Sequence, residues 1–121
     1  MLTLPERTAL VDLFQCEPRL AAAGVPWHFN TITFDTAFGE DCVQCVIEPD
    51  EGELHFVWRQ GNITRISLKI NSLAHLSVHR FAEEAYLLAS SGKDDPNKEL
   101  VKIRLRPIIS VEWGSYHDCL H

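Results

Sequence analysis

Residues 42–70 read CVQCVIEPDEGELHFVWRQGNITRISLKI. Three apolar-rich runs are separated by two short polar breaks, Pro49–Gly52 and Gln60–Asn62. In the second run Leu54, Phe56 and Trp58 alternate with polar or smaller residues, and in the third Ile66, Leu68 and Ile70 alternate with Ser67 and Lys69. Alternation with period two marks a strand that buries one face. Pro early and Gly late in Pro49-Asp50-Glu51-Gly52 suit a hairpin turn. Strands joined by so few residues have no room for a parallel crossover, so the stretch predicts an antiparallel meander rather than β-α-β units.

The same pattern extends outward. WHFNTITF (27–34) is rich in aromatic and β-branched residues, and Leu76 and Val78 resume the alternation after Asn71-Ser72. Near the C-terminus Val101, Ile103, Leu105, Ile109, Val111 and Trp113 are apolar, while Lys102, Arg104 and Arg106 are basic. This predicts two strands broken or bent at Pro107, with Trp58 and Trp113 on the core-facing parity. Before residue 27 the signals are helical. Thr3 and Glu6 have capping-box spacing, Pro5 stands where a helix start tolerates it, and Leu10, Leu13 and Phe14 share a face. Pro18 ends the helix near Cys16, and RLAAAG (19–24) reads as a further turn stopping at Gly24. FAEEAYLLA (81–89) fits a helix somewhat better than a strand by propensity, and Ser90–Asn97 has loop composition. The expected fold is a single α+β domain over residues 1–121. A helix at about 4–15 packs on a curved, mainly antiparallel sheet of about six to seven strands, β-rich from 27 onward.

At 121 residues the chain can bury a core without disulfides or metal. The four cysteines (Cys16, Cys42, Cys45, Cys119) are irregularly spaced. The N-terminal stretch has no export signal, so free thiols and a cytoplasmic location are expected, and no apolar run is long enough to span a membrane. Net charge is −6, unevenly spread. Residues 1–58 carry ten acids against Arg7 and Arg19, whereas residues 59–121 carry nine bases against seven acids. Six carboxylates, Glu40, Asp41, Glu48, Asp50, Glu51 and Glu53, fall in one stretch without a cation. Such a stretch repels nucleic acid and anionic lipid and attracts basic surfaces; a merely solvated hairpin is the plainer account of it.

Cys42-Val-Gln-Cys45 has a metal or redox spacing, and His117, Cys119 and His121 could complete a tetrahedral Cys/His site. Positions i and i+3 of a strand face opposite sides, which argues against it. His28, His55 and His75 could line a small-molecule or catalytic pocket, but no nucleophile elbow, H-E-x-x-H or Gly-rich phosphate loop accompanies them. No cofactor is implied. Aromatic strands could stack single-stranded nucleic acid, yet the sequence pI of about 5.4 opposes a phosphate-binding groove. The row Lys102, Arg104, Arg106 is best satisfied by carboxylates across the sheet, with Glu48, Glu53 and Glu112 as candidates. Self-association through a sheet edge is a further possibility.

Three stretches carry a resemblance: Cys16–Leu20 leading into a strand, Asn62–Val78, and Leu105–Trp113. Together they resemble small bacterial polymorphic-toxin immunity proteins, and look like the fiftieth of the numbered families of that kind. The proline-rich segment usual between the second and third strands is reduced here to Glu48–Gly52. The resemblance implies a cytoplasmic, non-catalytic protein that binds one cognate toxin domain. The six carboxylates would then face the toxin's basic substrate cleft.

Overall fold

The computed structural model describes residues 2–91 and 100–114. The tail residues His117, Cys119 and His121, and most of the loop expected at 90–97, lie outside these residues. The chain divides into two compact units: residues 14–72, and residues 2–13 together with the chain from 73 onward.

In the first unit, β1 (Arg19–Leu20), β2 (Ile32–Phe38), β3 (Asp41–Glu48), β4 (Glu53–Gln60) and β5 (Ile63–Ile70) form one antiparallel sheet in sequence order. The alternation of 42–70 sets its inner face. Phe34, Cys45, Phe56 and Leu68 lie directly across from one another on four successive strands, as do Ile32, Ile47, Leu54 and Ile70. Phe34, Cys45, Phe56, Ile32, Ile47 and Leu54 are fully buried. Each large apolar side chain so buried contributes roughly 1.5–3 kcal/mol. Phe14 stacks on Phe34 at 4.6 Å between ring centroids. Gly39 and Gly61 occupy two-residue hairpin loops at positive φ (65° and 60°), a conformation that costs glycine little.

In the second unit, β6 (His75–Phe81), β7 (Glu84–Ser90), β8 (Leu100–Arg106) and β9 (Ser110–Gly114) form a second antiparallel meander. The helix α1 (Arg7–Phe14) contributes buried Leu10 and Leu13. Its Asp12 carboxylate pairs with Arg80, and the Asp12 carbonyl accepts from Arg106 at 3.2 Å. Thr3 bridges to His75, with its N–H donating to the Ala74 carbonyl and its carbonyl accepting from Leu76. Leu87 and Ile103, directly paired, are fully buried.

Six expectations need correction. The strands number nine among the described residues and form two sheets, not one of six or seven. Ser72, at φ 59°, stands where the chain leaves the first sheet, so Asn71-Ser72 separates sheets rather than interrupting one. The helix is Arg7–Phe14, shorter at both ends than 4–15, and Arg19–Leu20 is a two-residue strand rather than a helical turn. Residues 84–90 are strand, not helix. Ala82 (φ 55°) turns the chain and pairing on both sides overrides helix propensity, with Ala85, Leu87 and Ala89 buried. Trp113 is 68% exposed despite its apolar parity, because it sits near the end of the edge strand β9.

Candidate partner-binding site

The acidic stretch becomes the β3–β4 hairpin. Its strands pair from Asp41 opposite Gln60 to Glu48 opposite Glu53. Seven steps of about 3.3 Å separate these ends by roughly 23 Å. The six carboxylates therefore form two groups rather than one patch. At one end Glu40 occupies the β2–β3 turn, while Asp41 accepts from Trp58 Nε1 at 2.9 Å and Gln60 Nε2 at 3.2 Å. At the other, Glu48 accepts from Thr31 Oγ1 at 3.4 Å and Glu53 pairs with Lys69 at 3.6 Å. Asp50 and Glu51 are exposed in the turn. Glu48 and Glu53 stand directly opposite each other, a like-charge pairing unfavourable by a few tenths of a kcal/mol or more, which Lys69 beside Glu53 offsets in part. A hollow of about 150 Å³ opens there, lined by Val46, Glu48, Glu53, Leu54, His55 and Lys69.

A second loop leaves the same end of this sheet. Leu20 pairs with Ile32 and Ile32 with Ile47, so residues 21–31 close the β1–β2 connection beside the β3–β4 turn. The loop reads AAAGVPWHFNT. Ala21 through Pro26, His28 and Phe29 are exposed, and Trp27 is half-buried. Asn30 holds the loop from beneath. It is buried, its Oδ1 accepts from Ala22 N–H at 3.1 Å, and its Nδ2 donates to the carbonyls of Ala22 (2.7 Å) and Val25 (3.2 Å). A 3-10 turn at Trp27–Phe29 completes it. The composition of 27–34 suggests one strand, yet the strand starts only at Ile32; the signal for the loop is Asn30 directly after Pro-Trp-His-Phe, since Asn favours turns over strand interiors.

Two of the three basic side chains of the row, Lys102 and Arg104, pair with carboxylates of their own sheet, while Arg106 donates to the Asp12 carbonyl on the helix. Lys102 lies 3.6 Å and Arg104 3.4 Å from Glu84, Arg104 also reaches Glu112 at 3.4 Å, and Lys102 sits 4.2 Å from the centroid of the Tyr86 ring. Glu112 is thus a partner as expected. Glu48 and Glu53 are not: they engage Thr31 and Lys69, and Glu84 on the neighbouring strand β7 takes their place.

The strand β3 turns Cys42 outward to solvent and buries Cys45 completely, so the two sulfurs face opposite sides. Burial pushes the Cys45 thiol far above its ordinary pKa. Among the described residues no group of three or more His, Cys, Asp or Glu is placed to hold a metal. His55 contacts Ser67 Oγ at 3.3 Å and borders the 150 Å³ hollow, whereas His28 packs against Phe29 in the loop. His75 lies in the other unit, on β6. Among the described residues no helix is long and apolar enough to cross a membrane.

No protein-family model and no curated protein matches the sequence. A solved structure does. One chain of a contact-dependent growth inhibition toxin–immunity protein complex from Klebsiella pneumoniae 342 shares this fold at a TM-score of 0.72. The match covers 93% of this chain and 96% of that one, at 16% sequence identity. At that identity the likeness is one of fold.

Proposed function

We propose that this protein is a non-catalytic immunity protein that binds a cognate toxin domain in the cytoplasm and neutralises it. The observation that carries the proposal is the fold shared, over nearly its whole length, with a chain from a toxin–immunity complex. The sequence resemblance to immunity proteins points the same way. The net charge of −6 suits an inhibitor rather than a nucleic-acid-cleaving partner, whose substrate cleft must be basic. Glu48, Asp50, Glu51 and Glu53 make the contact-range acidic surface, while Glu40 and Asp41 at the other end of the hairpin add to the long-range field that steers association.

Two experiments test this. In a pull-down from lysate of the source organism, the tagged protein should retain the C-terminal domain of a large secreted protein, and retention should weaken as salt rises. Co-expression with that domain should restore growth of cells that the domain alone arrests. Failure to retain or protect would overturn the proposal, and so would growth arrest by this chain expressed alone, which would make it the toxin.

A further inference from the structure

We infer that the loop 21–30 is the apolar centre of the toxin-binding surface, with Val25, Trp27 and Phe29 as its contacts and Glu48, Asp50, Glu51 and Glu53 as its charged rim. This rests on the proposed function and specifies the surface that performs it. Three observations converge. Phe29 is 52% and Val25 37% exposed, within a run of nine residues of which only His28 is polar and none is fully buried. An exposed apolar run on an otherwise charged surface marks a contact site. The loop is also held in one shape. Asn30 makes three hydrogen bonds to its backbone, and Phe29 and Asn30 N–H groups donate to the carbonyls of Pro26 and Trp27. A surface ordered before binding spends less conformational entropy on association, and aromatic residues in such surfaces carry most of the binding energy.

The third observation is position. The strand pairing puts the loop and the acidic turn at one end of the same sheet, and Thr31 Oγ1 donates to Glu48 across the two strands. An apolar centre beside a charged rim is the anatomy of a specific protein interface. The charge names the occupant's chemistry. The turn carries four carboxylates, and the cation beside them, Lys69, is already paired with Glu53. The partner is therefore a protein surface with an apolar pocket edged by lysine or arginine, as the basic cleft of a nucleic-acid-cleaving toxin presents.

The test is a calorimetric titration of the purified toxin domain, recovered as above, with wild-type protein and two variants. Val25→Ser combined with Phe29→Ser changes exposed side chains only and leaves the Asn30 bonds in place. It should weaken binding at least about tenfold at both low and high salt. Ile63→Ser removes another exposed apolar side chain, 59% exposed, at the opposite end of the sheet, and should bind as wild type. If the double variant binds like wild type, the loop is not the contact and this inference fails while the immunity reading stands. If wild type itself does not bind the domain, both fail. A protein that sediments as a dimer and becomes a monomer in the double variant would assign the loop to a second copy instead, which also overturns it.

Discussion

Replacing Asn30 with alanine isolates what holds the loop. The substitution removes three hydrogen bonds of 2.7–3.2 Å from a buried side chain. A bond of this neutral kind contributes about 0.5–1.5 kcal/mol net. The partner backbone groups belong to Ala22 and Val25, which are exposed, so water replaces part of what is lost. The sum is about 2–3 kcal/mol. With about 2.1 cal/mol/K of unfolding entropy per residue, a chain of 121 residues should melt about 10 °C lower. Urea unfolding followed by circular dichroism gives the free energy, and amide exchange gives its location. The Ala22 amide should lose protection while amides of β3 and β4 keep theirs. Asn30→Asp sharpens the test. It keeps the acceptor for Ala22 N–H but directs a carboxylate at two carbonyl oxygens. Burial and those oxygens raise the introduced carboxyl's pKa above its unfolded value. The variant's deficit should therefore be smallest at acid pH and grow as pH rises through that raised pKa. A stability loss under about 0.5 kcal/mol for Asn30→Ala, or an Ala22 amide still protected, would refute the account of a loop held from beneath.

Other expectations are more local. Phe34→Ala, which removes a fully buried ring stacked on Phe14, should cost about 3–5 kcal/mol by chemical denaturation. Glu84→Lys places a third cation beside Lys102 and Arg104 and should cost about 1 kcal/mol, a loss that high salt reduces; an unchanged midpoint would mean those pairs contribute nothing. Iodoacetamide at pH 8 should alkylate Cys42 in the native protein but reach Cys45 only in denaturant, because burial both blocks access and suppresses the thiolate; peptide mass mapping distinguishes them. Asp50→Lys together with Glu51→Lys should slow toxin association several-fold at low salt, with the difference shrinking at high salt in stopped-flow traces.

The parts of the fold legible in the sequence are those where one periodicity had no rival. Leu54, Phe56, Ile47 and Cys45 point inward as their alternation requires, and Leu10, Leu13 and Phe14 are all fully buried. The errors fall where local preference and long-range pairing disagree. Glu84-Ala85-Tyr86-Leu87-Leu88 is good helical composition, and only its partners on β6 and β8 make it a strand. The alternation around Lys102 and Arg104 calls for carboxylates across the sheet, but their chief partner Glu84 lies in a segment whose helical composition hides its place on the neighbouring strand. The acidic stretch reads as one cluster along the chain, yet an extended strand carries its ends apart. Whether Val25 or Phe29 is buried is not a local property at all; it depends on what the rest of the chain leaves uncovered.

Both meanders pair only consecutive strands, with one departure from that economy. The segment 2–13 contacts residues of the second sheet, with Asp12 reaching 68 positions ahead to Arg80 and 94 to Arg106. On the ribosome, strands β1–β5 can close as soon as residue 70 has emerged, whereas the segment made first must wait for strands made last. Until then Leu10 and Leu13 have no sheet of their own unit to cover, a natural point for a chaperone to hold the nascent chain. A bulky fusion ahead of Leu2 would accordingly be felt in the folding of β6–β9, at the far end of the sequence, before it disturbed the strands nearest to it.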